Sequence, residues 1–149
     1  MKKKYCVCVN ILLLVWFFLD MVGVFFEGTY LVTRSWKDDG IFMIIFAVTL
    51  VLFILKERIG KYILVGWQAL WLITQFISHE WYTIVGSGEE KMRYFSGSIK
   101  LFYSESRYIP DLYHIVLHIL IAVSLVLTSL YIIGNKSIKE IMSTTNDYK

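Results

Sequence analysis

The chain has 149 residues, of which 57% are hydrophobic, 17% aromatic and 18% charged, with a formal net charge of +3. A water-soluble domain carries about 25% charged and about 45–50% apolar residues, so this chain has too much apolar surface for one soluble core. Its hydrophobicity excludes a disordered chain, and its two cysteines are too few for a disulfide scaffold. We therefore expect one integral membrane domain that covers residues 1–149.

Four apolar stretches are long enough to cross a bilayer, whose hydrocarbon core of about 30 Å requires roughly 20 mostly apolar residues. We predict transmembrane helices at about residues 5–26, 39–56, 61–78 and 113–133. The predicted fold is an all-α four-transmembrane-helix bundle. The first stretch follows Lys2, Lys3 and Lys4, as the apolar core of a signal peptide would. It is longer than such a core and ends in bulky residues, so we interpret it as an uncleaved helix.

Basic residues are concentrated on one side of this predicted topology. The N-terminus, the turn at 56–61 and the tail at 134–149 hold nine of the fifteen basic residues and three acidic ones. The positive-inside rule places these segments in the cytoplasm. We therefore predict a multi-pass cell-membrane protein with both termini cytoplasmic. Orientation and contact with anionic lipid account for the basic residues, so we expect no nucleic acid partner.

The longest connection joins the third and fourth predicted spans on the outer side. Ser87 and Glu90 have the spacing of a capping box, and apolar residues then recur at helical intervals at Met92, Phe95, Ile99, Phe102 and Tyr103. This pattern predicts an external amphipathic helix at about residues 88–103, between helices three and four. Such a helix would lie in the outer membrane interface.

Ionisable side chains gather near the predicted outer ends of the spans, although each costs on the order of 2.5–3.5 kcal/mol at the centre of a bilayer. The set includes all three histidines and consists of Asp20, Glu27, His79, Glu80, Asp111, His114 and His118. Helices three and four are expected to be antiparallel neighbours. Because polar groups that face lipid would stay unpaired, we predict that these residues face one another in an external polar cup.

The residue types in this cup point to metal or acid/base chemistry. Two histidines at i and i+4 on one helix can share a metal, and imidazole and carboxylate oxygen suit Zn²⁺ or another divalent transition metal. The predicted metal ligands are His79, Asp111, His114 and His118, and the predicted catalytic acid/base groups are Asp20, Glu80 and His118. A direct hydrogen bond between Asp20 and His118 is also expected, since ionisable groups inside a membrane are usually paired.

Simpler roles are open for some of these residues. Asp111 follows Pro110, where a helix is expected to begin, so it could serve only as an N-cap. Three classes of function therefore stay open: an enzyme acting on a lipid or small amphiphile at the outer leaflet, a protein that binds or transports a proton or metal ion, and a noncatalytic partner of another membrane protein. The last class includes immunity proteins, assembly factors and accessory subunits.

Overall fold

The computed structural model describes the backbone of residues 2–146 and the side chains of residues 2–135. The chain is mostly helical, with one antiparallel pair of short strands. The elements in chain order are α1 (Lys3–Val22), β1 (Val24–Phe26), β2 (Thr29–Val32), α2 (Trp36–Leu55), α3 (Glu57–Ser78), α4 (Glu80–Val85), α5 (Glu89–Tyr94) and α6 (Leu112–Asn146). Helix α6 continues into the predicted tail at 134–149, whose last residues, 147–149, lie outside the described part.

Among the described helices, α1, α2 and α6 are long and apolar enough to cross a membrane. Their length and composition indicate a membrane protein. Helix α3 has 22 residues, but it carries Lys61, Gln68 and Gln75 and is less apolar than the other three.

The four long helices surround one core. Helix α1 packs against α2 and α6, and α3 packs against the same two neighbours. Each helix buries residues three or four apart, as Leu13 and Phe17 do on α1, which gives one inward face per helix. The aromatic rings of Phe17 and Phe46 contact Trp71 with centroid distances of 4.6 and 5.4 Å, and all three side chains are buried.

Helices α2 and α3 form a tight pair because Lys56 alone links them. Gly60, in the first turns of α3, lies directly against the backbone of Leu52 and Phe53 on α2. A Cβ atom at this position would collide with that backbone, so only glycine allows the approach.

The first transmembrane helix was predicted at residues 5–26, and in the structure it ends earlier. Helix α1 ends at Val22, and the apolar residues that follow form β1 of a hairpin. Glu27 and Gly28 make its turn with φ angles of 47° and 87°, the left-handed conformation that tight hairpin turns require. Phe25 and Phe26 are apolar and continue the run of α1 in the sequence, but they belong to β1. The apolar run therefore extends beyond the end of the helix.

The predicted interfacial helix at 88–103 is also wrong in its extent. Helix α5 covers only Glu89–Tyr94. Tyr30 of β2 accepts a hydrogen bond from the Ile99 amide and donates one to the Gly97 carbonyl, both at 2.9 Å. The backbone around Ser98 therefore lies beside β2, and this pairing replaces the helical hydrogen bonds that the apolar spacing predicted.

Candidate functional site

A cavity of about 510 Å³ lies at the end of the bundle where α1 and α3 end and α2 and α6 begin. Its floor is apolar and includes Phe17, Phe42 and Leu117. The polar side chains of its wall come from the four long helices, from the residues next to α2 and α3 and from α5, and they are Asp20, Ser35, Asp38, Asp39, Thr74, Gln75, Ser78, His79, Glu90, Lys91, Tyr94 and His114. Of the residues predicted to form a polar cup, Asp20, His79 and His114 line this cavity, which has a polar wall and an apolar floor.

His114 is oriented by Asp111. The side-chain oxygen Oδ1 of Asp111 accepts one hydrogen bond from the His114 backbone N–H at 3.0 Å and another from ring atom Nδ1 at 2.7 Å. Asp111 is only 1% exposed, so no solvent competes for this oxygen. Because Nδ1–H donates to the carboxylate, the proton-accepting nitrogen of neutral His114 is Nε2. His114 lines the cavity, so this nitrogen is available to a bound molecule.

His79 stacks on His114, with ring centroids 4.1 Å apart. Its Nδ1 is hydrogen-bonded to the hydroxyl of Tyr108 at 2.6 Å. Burial, followed by the neighbouring His114 and Lys91, holds the pKa of His79 well below its usual range. Burial also raises the pKa of the Tyr108 hydroxyl. His79 therefore lines the cavity as a neutral imidazole, bonded to a protonated phenol.

Glu80 and His118 form a separate pair. Atom Nδ1 of His118 lies 2.5 Å from Oε1 of Glu80, and Nε2 lies 3.2 Å from Oε1 of Gln75. Both ring nitrogens are thus occupied, and neither residue lines the cavity. The expected direct bond from His118 to Asp20 is wrong for this reason. Gln75 does line the cavity, so the pair holds a residue of the wall rather than forming the wall itself.

Asp20 lies beside Asp39, which belongs to the first turn of α2. The carboxyl groups of Asp20 and Asp39 are neighbours that interact electrostatically. Asp20 is 4% exposed, and both residues line the cavity. Two neighbouring carboxylates repel each other, and a proton shared between them relieves that repulsion. The cavity therefore contains a carboxyl pair that can hold or release a proton.

Lys91 is the basic residue of the cavity wall, and aromatic rings hold its ammonium group. Its Nζ lies 5.1 Å from the centroid of the Tyr82 ring and 5.7 Å from that of Tyr108. These distances are within the range of a cation–π contact. Burial lowers the pKa of Lys91, while Asp39 opposes that change. The lysine is therefore held at the mouth of the cavity by α5 and its neighbours.

The predicted metal ligands come together only in part. The rings of His79, His114 and His118 are neighbours, with centroid distances of 4.1, 5.5 and 6.3 Å. Their Nδ1 atoms are bonded to Tyr108, Asp111 and Glu80, and Nε2 of His118 is bonded to Gln75. Within the described residues, no group of three or more His, Cys, Asp or Glu side chains is arranged to hold a metal ion. Zinc binding stays a prediction that this geometry does not support.

Of the predicted site residues, the structure places Asp20, His79 and His114 in the cavity wall and puts Asp111 directly behind His114. The residues missed were Asp39, Lys91 and Tyr108. The only signal for Asp39 was its place beside Asp38 at the start of a span, where helix capping explains an acidic residue equally well. Lys91 and Tyr108 come from the long loop. No periodic pattern in the sequence predicts where this loop places its side chains.

Comparison with family models, with curated proteins and with solved structures gave no significant match. The function is therefore argued from the chemistry of the site alone.

Proposed function

We propose that the chain is a four-span, multi-pass cell-membrane protein with both termini in the cytoplasm and the cavity at the outer leaflet. Helix α3 would be the fourth span. It packs along α2 after a single linking residue, so both helices occupy the same depth. It buries Gln68 and Gln75 in the core, whereas Leu70, Ile73 and Ile77 on its other side are 55–58% exposed. The basic N-terminus and 56–61 turn support this orientation.

Cysteine labelling tests the topology. In a background of Cys6→Ala and Cys8→Ala, Glu105→Cys and Arg58→Cys each introduce one thiol at an exposed position, at opposite ends of the bundle. We expect a membrane-impermeant maleimide to label Glu105→Cys on intact cells and Arg58→Cys only after lysis. The reverse pattern would overturn the orientation, and labelling of both on intact cells would contradict the four-span topology.

The function that the site supports best is acid/base catalysis on a lipid or small amphiphile at the outer leaflet. The observation that carries this proposal is the Asp111–His114 pair, which leaves Nε2 of His114 facing the cavity. A buried carboxylate bonded to Nδ1 fixes the tautomer of a histidine and stabilises the imidazolium that forms when Nε2 takes a proton. His114 would thus serve as the general base.

The Asp20–Asp39 pair would serve as the acid. Its shared proton can be donated to a leaving group or to a developing anion while His114 accepts a proton on the other side of the substrate. Two groups with different proton affinities in one cavity are the usual arrangement for this chemistry. In this proposal Glu80 and His118 are positioning residues, because they hold Gln75 and do not line the cavity.

The cavity also suits an amphiphile in size and polarity. Its volume of about 510 Å³ lies within the range of small-molecule sites, which is about 300–1,000 Å³. Phe17, Phe42 and Leu117 offer an apolar surface to a chain or ring, and the carboxyl and imidazole groups face the polar end.

Transport is less well supported than catalysis. Below the cavity, the buried rings of Phe17, Phe46 and Trp71 form an apolar layer. The next polar residues, Asn10, Gln68 and Thr128, are hydrogen-bonded to each other and fully buried beyond this layer. A transported ion would have to cross both regions, whereas a substrate that stays at the outer leaflet meets neither.

Lipid analysis of the expression host tests the catalytic proposal. Membranes from cells that produce the wild-type chain or His114→Gln are compared by liquid chromatography and mass spectrometry, with the exposed-surface variant Tyr103→Phe as the control. We expect a conversion that occurs with the wild type and Tyr103→Phe and falls by about 10²–10⁴ with His114→Gln. Metal analysis of the wild-type and His114→Gln proteins, purified from these membranes, distinguishes a zinc-dependent reaction from metal-free acid/base catalysis.

Identical lipid profiles for wild type and His114→Gln would overturn the catalytic proposal. If one membrane protein also copurified in equal amounts with both variants, the noncatalytic partner class would replace it. If zinc were bound in equal amounts to the protein and lost in His114→Gln, the metal-dependent form of the enzyme would replace the acid/base form.

A further inference from the structure

The cavity has more acidic than basic groups in its wall. Four carboxyl groups line it, from Asp20, Asp38, Asp39 and Glu90, against the single ammonium of Lys91. His79 adds no positive charge, because its pKa is held low by burial and by its neighbours. An anionic head group would therefore meet net repulsion in this wall, and a cationic one would meet attraction.

Lys91 does not reverse this preference. Its ammonium already lies over the rings of Tyr82 and Tyr108, which hold it at the mouth of the cavity. An anion bound to Lys91 would have to stay there, away from the apolar floor. The most buried polar side chains of the wall are instead those of Asp20, His79 and Gln75, which are 4%, 6% and 8% exposed.

Two buried polar groups in the wall lack partners for part of their hydrogen-bonding capacity. Among the described residues, the Gln75 side chain forms a hydrogen bond only through Oε1 and the His79 ring only through Nδ1. The amide nitrogen of Gln75 and Nε2 of His79 are thus left for water or for a bound molecule. Neither atom is fully buried, so water or a bound molecule in the cavity can reach both of them.

We propose that the cavity binds an organic ammonium ion with an apolar chain, whose charged group takes the place of the proton shared by Asp20 and Asp39. This inference rests on the proposed function and names its substrate class. The apolar chain lies on Phe17, Phe42 and Leu117. An ammonium group can donate to both carboxylates at once, which a neutral hydroxyl cannot do. One proton leaves for each ammonium ion that enters, and no covalent bond forms or breaks.

Proton release makes binding depend on pH. Three charged or titratable groups face the carboxyl pair: Asp38 of α2, Lys91 of α5 and His114 of α6. Asp111 lies behind the histidine. Raising the pH removes the shared proton without help from the ligand, so the affinity for an ammonium ion increases. The increase ends where the amine itself loses its charge, which for an alkylamine is near the pKa of lysine, about 10.4.

Three probes of equal chain length test the proposal: hexylamine, 1-hexanol and hexanoate. Binding to the full chain in phosphatidylcholine nanodiscs is measured by calorimetry, with empty nanodiscs subtracted. We expect hexylamine to bind at least about tenfold more tightly than 1-hexanol, since only the ammonium group can form charge-assisted hydrogen bonds to both carboxylates. Equal or tighter binding of 1-hexanol or hexanoate would overturn the proposal.

Matched variants locate the site. Asp39→Asn and Asp20→Asn are each expected to weaken hexylamine binding by about tenfold or more, whereas Glu105→Gln, an exposed carboxylate outside the cavity, leaves it unchanged. If Asp20→Asn does not fold, Asp39→Asn alone decides. Calorimetry in two buffers of different ionisation heat should show about one proton released per hexylamine. Binding without proton release, or full affinity in both variants, would contradict the replacement of the shared proton.

Hexylamine binding and lipid conversion, both measured with the wild-type protein, separate this inference from the proposed function. A strong preference for hexylamine without any lipid conversion would keep the binding site and remove the catalytic proposal. Lipid conversion that depends on His114, with no preference for hexylamine, would keep the catalytic proposal and remove the ammonium-binding site.

Discussion

A single oxygen of Asp111 accepts two hydrogen bonds from His114, at 3.0 Å from its backbone N–H and at 2.7 Å from its ring Nδ1. The first bond caps the start of α6, and the second fixes the imidazole one turn into the helix. Asp111 is therefore the N-cap of α6 and also orients His114, whereas its role as a metal ligand stays a prediction. The start of α6 determines where the proposed base lies in the cavity.

Substituting Asp111 separates these two roles. Asparagine caps helices about as well as aspartate, so Asp111→Asn should change the free energy of unfolding by less than about 1 kcal/mol. It removes the negative charge that stabilises an imidazolium, so we expect lipid conversion to fall by about 10²–10⁴. Asp111→Ala should also lose about 0.5–2 kcal/mol of stability. Thermal unfolding in detergent and the lipid assay measure both effects, and a fully active Asp111→Asn would refute the proposed role.

The buried His79 should make the protein sensitive to acid. Its pKa lies below the ordinary value of 6.5 because it is buried next to His114, Lys91 and His118. As the pH falls below 6.5, the unfolded chain gains a proton at His79 that the folded chain does not take up. Acid therefore favours unfolding by up to about 1.4 kcal/mol per pH unit, and above about pH 7.5 the effect is absent.

Chemical denaturation in detergent at about pH 7.5 and about pH 5 checks this effect, with His79→Gln as the reference. Glutamine does not titrate, so this variant should lose less stability than the wild type between the two conditions. An equal loss in both proteins would show that another group causes the acid sensitivity.

Part of the fold and site could be predicted from the sequence because polar residues inside an apolar segment are costly. This rule identified Asp20, His79 and His114, and the three of them line the cavity. Gln68 and Gln75 of α3 are further polar residues that are buried inside an apolar bundle. Composition predicted the helical, membrane-spanning character of the chain, which the three long apolar helices support.

The rest could not be predicted because it depends on contacts between distant parts of the chain. The apolar spacing of residues 88–103 favours helix locally, but pairing of Gly97 and Ile99 with Tyr30 removes it after Tyr94. Asp39 has a local explanation as part of a helix start, and only the packing of α2 against α1 brings it to Asp20. His118 was expected to meet Asp20 because the position of α4, which carries Glu80, was not predicted.

Asn10 and Gln68 form the hydrogen bond that joins α1 to α3 across the core. Nε2 of Gln68 donates to Oδ1 of Asn10 at 2.6 Å, and the Asn10 amide donates to the Cys6 carbonyl and to Thr128. We expect Asn10→Leu and Gln68→Leu each to destabilise the protein by about 1–3 kcal/mol, since each leaves a buried partner unpaired. The double variant should lose less than the sum, by about 0.6–1.7 kcal/mol.

Denaturation in detergent measures the four members of this double-mutant cycle. Thr49→Val serves as the control, because the Thr49 hydroxyl bonds to the Phe46 carbonyl and shares no partner with Asn10. Its effect should add to that of Asn10→Leu within about 0.5 kcal/mol. Strict additivity of Asn10→Leu and Gln68→Leu would mean that the two side chains do not interact in the membrane protein.

Two glycines of α3 offer a test of the close approach between α2 and α3. A Cβ atom at Gly60 would collide with the backbone of Leu52 and Phe53, whereas a Cβ atom at Gly66 would meet no atom within 4 Å. We expect Gly60→Ala to destabilise the protein by about 1–3 kcal/mol, because α2 and α3 must move apart. Gly66→Ala should be neutral or stabilise by up to about 1 kcal/mol, since alanine is the better helix former. Thermal unfolding of both variants in the same detergent gives the comparison. If Gly60→Ala were as stable as Gly66→Ala, the one-residue link at Lys56 would not hold the two helices in contact. Helix α3 would then not have to lie at the same membrane depth as α2.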